Sequence, residues 1–238
     1  MRLKLRRIIK NTYTSTKDIH ISTEDPTRNV DSSEFEVDNW ALSDFVVEKL
    51  VPIVGVRPFP LSELLLMAST VCRFKPTHIF EWGTHLGKSA RIFHETSAHF
   101  GINAKIYSID LPDDVSHNEH PQEQRGIYVK GISGVSLIQG DGLNDTLKLL
   151  KKLPKKSRPL FFIDGDHSYK SVKRELTGLL KARPDGVFLL HDTFYQSEDS
   201  GYNIDSHKVI QEVIGRRKGY KVISTNTGLP GMSLVYKS

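Results

Sequence analysis

The sequence predicts an α/β fold: a doubly wound, seven-stranded, mostly parallel sheet with helices on both faces. Three observations predict it. Short apolar runs rich in Ile, Val, Leu and Phe recur from residue 78 onward, and such runs suit strands buried on both sides of a parallel sheet. Segments of helical periodicity separate them, an alternation that builds a parallel sheet covered by helices. Three of the runs, in HIFEWGTHLGKSARIF (78–93), PLFFIDGDHSYKSV (159–172) and GVFLLHDTF (186–194), stop at a carboxylate and then turn. Ligands of open α/β sheets bind outside the carboxyl ends of the strands. Glu81, Asp164, Asp166 and Asp192 are therefore expected along one crevice.

Residues 1–38 read as a basic, polar arm and 39–238 as one domain. A helix is expected over 39–51, where Trp40, Phe45, Val46 and Leu50 share helical spacing, and another over 60–74, ending ahead of Pro76. Strands are expected at 78–82, 105–110, 136–140, 159–164, 186–191, 220–225 and 232–236. Helices are expected at 88–100, 144–152, 169–182 and 205–218, the last followed by Gly219 as a C-terminal stop. The long connections 111–133 and 195–205 follow strands at the ligand edge, as substrate walls and lids do.

The formal net charge is +5, but the first ten residues carry Arg2, Lys4, Arg6, Arg7 and Lys10 and no acid. Without those five cations the remaining 228 residues are neutral, which excludes the broad basic face of a nucleic-acid binder. The basic start reads as a frayed terminus; Leu5, Ile8 and Ile9 also give it a face for weak contact with an anionic membrane surface. No stretch reaches the roughly 18 apolar residues of a membrane span. The single cysteine, Cys72, lies in the apolar stretch LLLMASTVCRF, which fits a core position in a reducing, cytoplasmic setting. The apolar segments before residue 78 offer a surface for a homo-oligomer.

In EWGTHLGKS the glycines stand four apart, at Gly83 and Gly87, with no third glycine, so the GxGxxG dinucleotide fingerprint is absent. Glu81 ahead of the turn would repel a pyrophosphate and suits a cation or hydrogen-bond donors. The next strand, KIYSID, ends at Asp110, where an acid can accept bonds from ribose hydroxyls; LIQGDG ends at Asp141, where one can accept from an adenine amino group. Either acid is equally suited to capping a loop or helix.

EWGTHLGKS with Asp110 and QGD closely resembles the class I S-adenosylmethionine-dependent methyltransferases, over roughly residues 60–238. FFIDGDHSYKSVKREL followed by FLLHDT is similar to the subfamily grouping macrocin-type sugar O-methyltransferases with the proteins called cephalosporin hydroxylases. The resemblance implies a Rossmann-like methyltransferase fold. It also implies that Glu81, Gly83 and Gly87 line the methionine end of the cofactor, that Asp110 holds its ribose and that Asp141 lies near its adenine. Thr84, Ser89, Gly142 and Asp164 complete the implied cofactor set.

Asp164 and Asp192 end successive strands, and if these pair, as the resemblance implies, their backbones lie about 4.8 Å apart. Two carboxylates that close repel unless a cation or proton sits between them, and Mg²⁺ suits such oxygen ligands. Related metal-dependent O-methyltransferases hold an ion with acids at these places. His191 beside Asp192 is a departure from their pattern, as is Thr193 where they carry an amide; His191 would suit Mn²⁺ or Fe²⁺. Either Asp166 or His167 can take the proton of a substrate hydroxyl. Tyr169 is expected to pack or line the pocket, and His117 and His120 to be solvated. The expected activity is methyl transfer from S-adenosylmethionine to a hydroxyl of a small molecule or glycan, a sugar or secondary metabolite. Two rivals stand beside it: an iron hydroxylase using Asp164, His167 and His191, and a noncatalytic nucleotide-binding assembly protein.

Overall fold

The computed structural model describes residues 37–115, 122–195, 205–225 and 227–237. The basic arm, His117, His120 and most of the connection 195–205 lie outside them. The sheet has seven strands in the order β3-β2-β1-β4-β5-β7-β6: β1 His78–Trp82, β2 Lys105–Asp110, β3 Val135–Gln139, β4 Pro159–Ile163, β5 Val187–His191, β6 Tyr220–Ser224 and β7 Met232–Lys237. The first five are mutually parallel; β7 runs antiparallel to both β5 and β6. The order reverses between β1 and β4, the switch point at which a crevice opens.

The N-terminal region is helical, as its periodicity requires: α1 Asn39–Phe45, a π-helical turn Val46–Leu50 and α2 Val51–Val54, then α3 Leu61–Phe74. Asp38 caps α1, accepting from the N–H groups of Trp40 and Ala41. The π turn lies just ahead of Pro52, which has no N–H to give to the preceding turn. The remaining helices are α4 Lys88–His99, α5 Gly142–Leu150, α6 Tyr169–Ala182 and α7 Asp205–Val213. Among the described residues no helix is long and apolar enough to cross a membrane.

Period-two alternation along the strands divides the core into two layers. Ile79, Leu160, Phe162 and Leu189 point to α1–α4, packing with Leu64, Met67, Val71 and Phe93. Phe80, Phe161, Ile163, Phe188 and Leu190 point to α5–α7, packing with Leu143, Val172, Leu176 and Val209. All five residues of β4 are buried, so a Phe161→Ala change would cost about 3–5 kcal/mol. Cys72 is a half-buried thiol pushed up to about 12 by burial, consistent with an unreactive core position.

Candidate active site

The Gly-rich turn 83–87 follows β1, and backbone positions explain its glycines. Gly83 has φ +87°, and a Cβ there would lie 2.0 Å from the carbonyl oxygen of Asp164. The turn therefore packs on the end of β4. Gly87, at φ +85°, leads into α4 and leaves room for Val129 and Gly126. The turn is fixed from outside by N–H donation from Gly126 to His85 and from Tyr128 to Leu86. Part of the connection 111–133 is therefore a wall of the turn rather than a lid.

Glu81 is fully buried, and the β1–β2 register sets Ser108 beside it. The Ser108 hydroxyl donates to Glu81 Oε1 at 2.5 Å and shares a 2.6 Å bond with Thr84. Glu81 Oε2 is buried without a hydrogen-bond partner. Burial pushes this carboxyl up to about 7, against the lowering influence of Ser108 and the buried Ser89. An orphaned acceptor beneath a glycine turn fits a ligand that brings donors, as an α-ammonium group does.

Asp110 accepts from the N–H of His85 and the N–H of Leu111, both at 2.8 Å. Asp141 caps α5 by accepting from the N–H of Asn144 and takes both its contacts with Arg174 at 2.8 and 3.0 Å. Burial raises its pKa, but the Arg174 and Asn144 bonds outweigh this and hold the carboxyl below its ordinary range. Gly142 presses on Trp82, whose Cγ would lie 2.5 Å from a Cβ there. These positions sit along the ends of β1–β3, where the cofactor set was expected.

At the ends of β4 and β5 the charges crowd. The register pairs Ile163 with Leu190, so one step further Asp164 faces His191 rather than Asp192. Asp192 returns to the cleft through a left-handed backbone, φ +53°, a conformation that costs non-glycine residues free energy and collects at functional sites. His167 Nε2 lies 3.1 Å from Asp192 and 3.9 Å from Asp164. One donor atom each of Asp164, His167 and Asp192 lies within 4.8 Å of the other two. Two carboxylates and one imidazole at that spacing fit a divalent ion.

His191, expected as a ligand, stands beside that cluster rather than in it. Its Nδ1 lies 2.9 Å from Asp164 and its Nε2 3.1 Å from Glu63. Burial disfavours its charge, but Asp164, Glu63 and Asp192 outweigh burial and raise its pKa well above the ordinary value. Both ring nitrogens of His191 thus face carboxylates, Asp164 on one side and Glu63 on the other. Glu63, from α3, was missed by sequence reasoning; its signal was a lone acid in LSELLLMAST.

Asp166 is tied by the backbone N–H and hydroxyl of Ser168. Partial burial raises its pKa, but these bonds more than compensate, holding it below the usual carboxylate range. Tyr169 turns away and donates its hydroxyl to Glu212 of α7, so it does not line the cleft. A cavity of about 600 Å³ opens between the Gly-rich turn and the segments 56–60 and 229–230, with Arg57, Leu86, Lys88, Leu229 and Pro230 in its wall.

Residues 80–193 match a family model described as a methyltransferase domain. No curated protein matches the chain. Three solved structures share its fold at 15% identity. TomG, an O-methyltransferase from Streptomyces achromogenes involved in tomaymycin synthesis and solved with SAM, aligns with TM-score 0.55 over 93% of this chain and 95% of its own. An O-methyltransferase from Bacillus cereus in complex with SAH aligns with TM-score 0.53 over 83% and 91%. CalS11, a TDP-rhamnose 3'-O-methyltransferase of calicheamicin biosynthesis, aligns with TM-score 0.52 over 83% and 92%. The matched segment marks residues 80–193 as a methyltransferase domain, and the strand order is that of the Rossmann-like fold which these O-methyltransferases share.

Proposed function

We propose that the protein transfers the methyl group of S-adenosylmethionine to a hydroxyl of a small molecule, a sugar or secondary metabolite, with a divalent ion, Mg²⁺ or Mn²⁺, at Asp164 and Asp192. The observation that carries this reading is the convergence of Asp164, His167 and Asp192 beside the Gly-rich turn. It is supported by the sugar O-methyltransferase CalS11 among the proteins of like fold. A divalent ion bound there lowers the pKa of a hydroxyl and orients it. The chain's own residues do the rest. Glu81 and the turn hold the donor-bearing end of the cofactor, Asp110 its ribose and Asp141 its adenine. The cavity beside Arg57, Lys88 and Leu229 admits the acceptor. His167 takes the hydroxyl proton, with Asp192 stabilising the resulting imidazolium; Asp166, already engaged by Ser168, holds the turn. Alignment of two bound reactants contributes roughly 7–11 kcal/mol to such a reaction.

Calorimetry with S-adenosylhomocysteine and with NAD tests the cofactor. Binding of the first and not the second is expected; tight binding of NAD alone would overturn the proposal.

A further inference from the structure

We propose that Glu63 is a positioning residue that fixes Asp164 through His191 and fastens the β6–β7 turn with the same carboxylate. The inference rests on the metal-assisted reading of the site. Glu63 lies on α3, outside the segment 80–193 that matches the family model. It is 1% exposed, in a helix whose neighbours Leu64, Leu66 and Met67 are core residues. A carboxylate there is costly unless both oxygens are engaged, and both are. Oε1 accepts from the Gly231 N–H at 2.8 Å, and Oε2 meets His191 Nε2 at 3.1 Å. His191 passes the constraint on: its Nδ1 lies 2.9 Å from Asp164 Oδ1, and the edge of the Phe59 ring closes over it with centroids 5.0 Å apart.

Two directions are thereby set at once. The imidazole, held at both nitrogens, cannot rotate, so the Asp164 carboxylate is presented to His167 and Asp192 in one orientation. Gly231 directly follows Leu229 and Pro230, two residues of the cavity wall. One buried side chain thus links the candidate metal cluster to the wall beside the acceptor. Stability alone does not call for this arrangement, because apolar residues of similar volume often serve a core as well as a buried ion pair does. Hydrogen-bonded partners of ligating carboxylates commonly change metal affinity 10- to 100-fold when removed.

The test is Mn²⁺ titration by calorimetry of the wild type, Glu63→Asp, Glu63→Gln and Asp164→Ala, with S-adenosylhomocysteine binding as the check on folding. Glu63→Asp keeps the charge but is one methylene short of spanning His191 and Gly231. It should bind Mn²⁺ about 10- to 100-fold more weakly and lose kcat, with KM for S-adenosylmethionine unchanged. Glu63→Gln keeps the reach but has one oxygen for two donors, the Gly231 N–H and the His191 Nε2–H, so it too should bind Mn²⁺ more weakly than wild type. Wild-type Mn²⁺ affinity in Glu63→Asp would overturn the inference. So would lost S-adenosylhomocysteine binding in a folded Glu63→Asp, which would place Glu63 in the cofactor cleft. A wild type that binds S-adenosylhomocysteine but no Mn²⁺, or an Asp164→Ala that binds Mn²⁺ normally, would remove the metal reading and the inference with it. A wild type that binds no S-adenosylhomocysteine would instead remove the cofactor assignment.

Discussion

At the ends of β2 and β3 each carboxylate is met by backbone N–H or guanidinium donors, whereas at the ends of β4 and β5 carboxylates meet one another and two histidines. Asp110 holds the N–H groups of His85 and Leu111, and Asp141 holds Asn144 and Arg174. Asp164 faces His191 and lies near His167, and Asp192 reaches His167 through a strained backbone. The carboxylates of the first region are already met by donors that hold them in place. The second balances like charges with imidazoles and carries the poised charge that proton transfer needs. On the proposed function, recognition and chemistry are separated along one sheet edge, and damage to one region should spare the other.

The largest effects should come from breaking the second region. Asp164→Ala is expected to slow turnover by about 10²-fold or more while leaving S-adenosylhomocysteine affinity nearly unchanged. Chelation should slow the wild type similarly and the mutant little further. In steady-state pH profiles, His167→Ala should abolish the acidic limb, with a loss of about 10²–10⁴-fold, while Asp166→Asn should retain it. The opposite pattern would move the base to Asp166. A normal rate in Asp164→Ala with no response to chelator would leave base and alignment as the whole of the chemistry.

The boundary between the regions is Gly83, whose missing Cβ lets the turn touch the carbonyl of Asp164. Gly83→Ala combines that clash with an unfavourable φ and should cost about 3 kcal/mol or more, read as a lowered melting temperature. Because it presses on both regions, it is the one change expected to impair cofactor binding and turnover together.

Beneath the first region, Glu175 sharpens the contrast. Burial pushes this carboxyl up to about 7 from an ordinary 4.5, with the neighbouring Trp82 and the Arg174 charge opposing. Between those two values the folded protein holds the proton more tightly than the unfolded chain, so its contribution to stability is lost as pH rises through that window. Glu175→Gln should remove the dependence. Relative to wild type it should be more stable at pH 8 than at pH 5 by up to about 3 kcal/mol, as measured by urea unfolding at the two pH values. Parallel curves for the two proteins would show that Glu175 titrates normally.

Strand positions, helix positions and the acids at strand ends were legible in the sequence because period, propensity and chain termination at a turn are local properties. Every expected strand formed within a residue or so of its expected limits, and the resemblance supplied the strand pairing that periodicity could not. The contacts that decide roles come from far apart in the chain and depend on register and rotamer. Asp164 faces His191 because β4 and β5 are offset by one position, and a period-two strand turns that single step into a different neighbour. His191 is held between Asp164 and Glu63, the latter 128 positions earlier, and no local pattern encodes that pairing. That the backbone at Gly83 must approach the Asp164 carbonyl is likewise a matter of how the sheet packs. The sequence by itself determined which elements form and which edge of the sheet bears charge. Only the tertiary structure decided which charges meet, because that depends on the close packing of elements whose separations in sequence carry no signal of their contact.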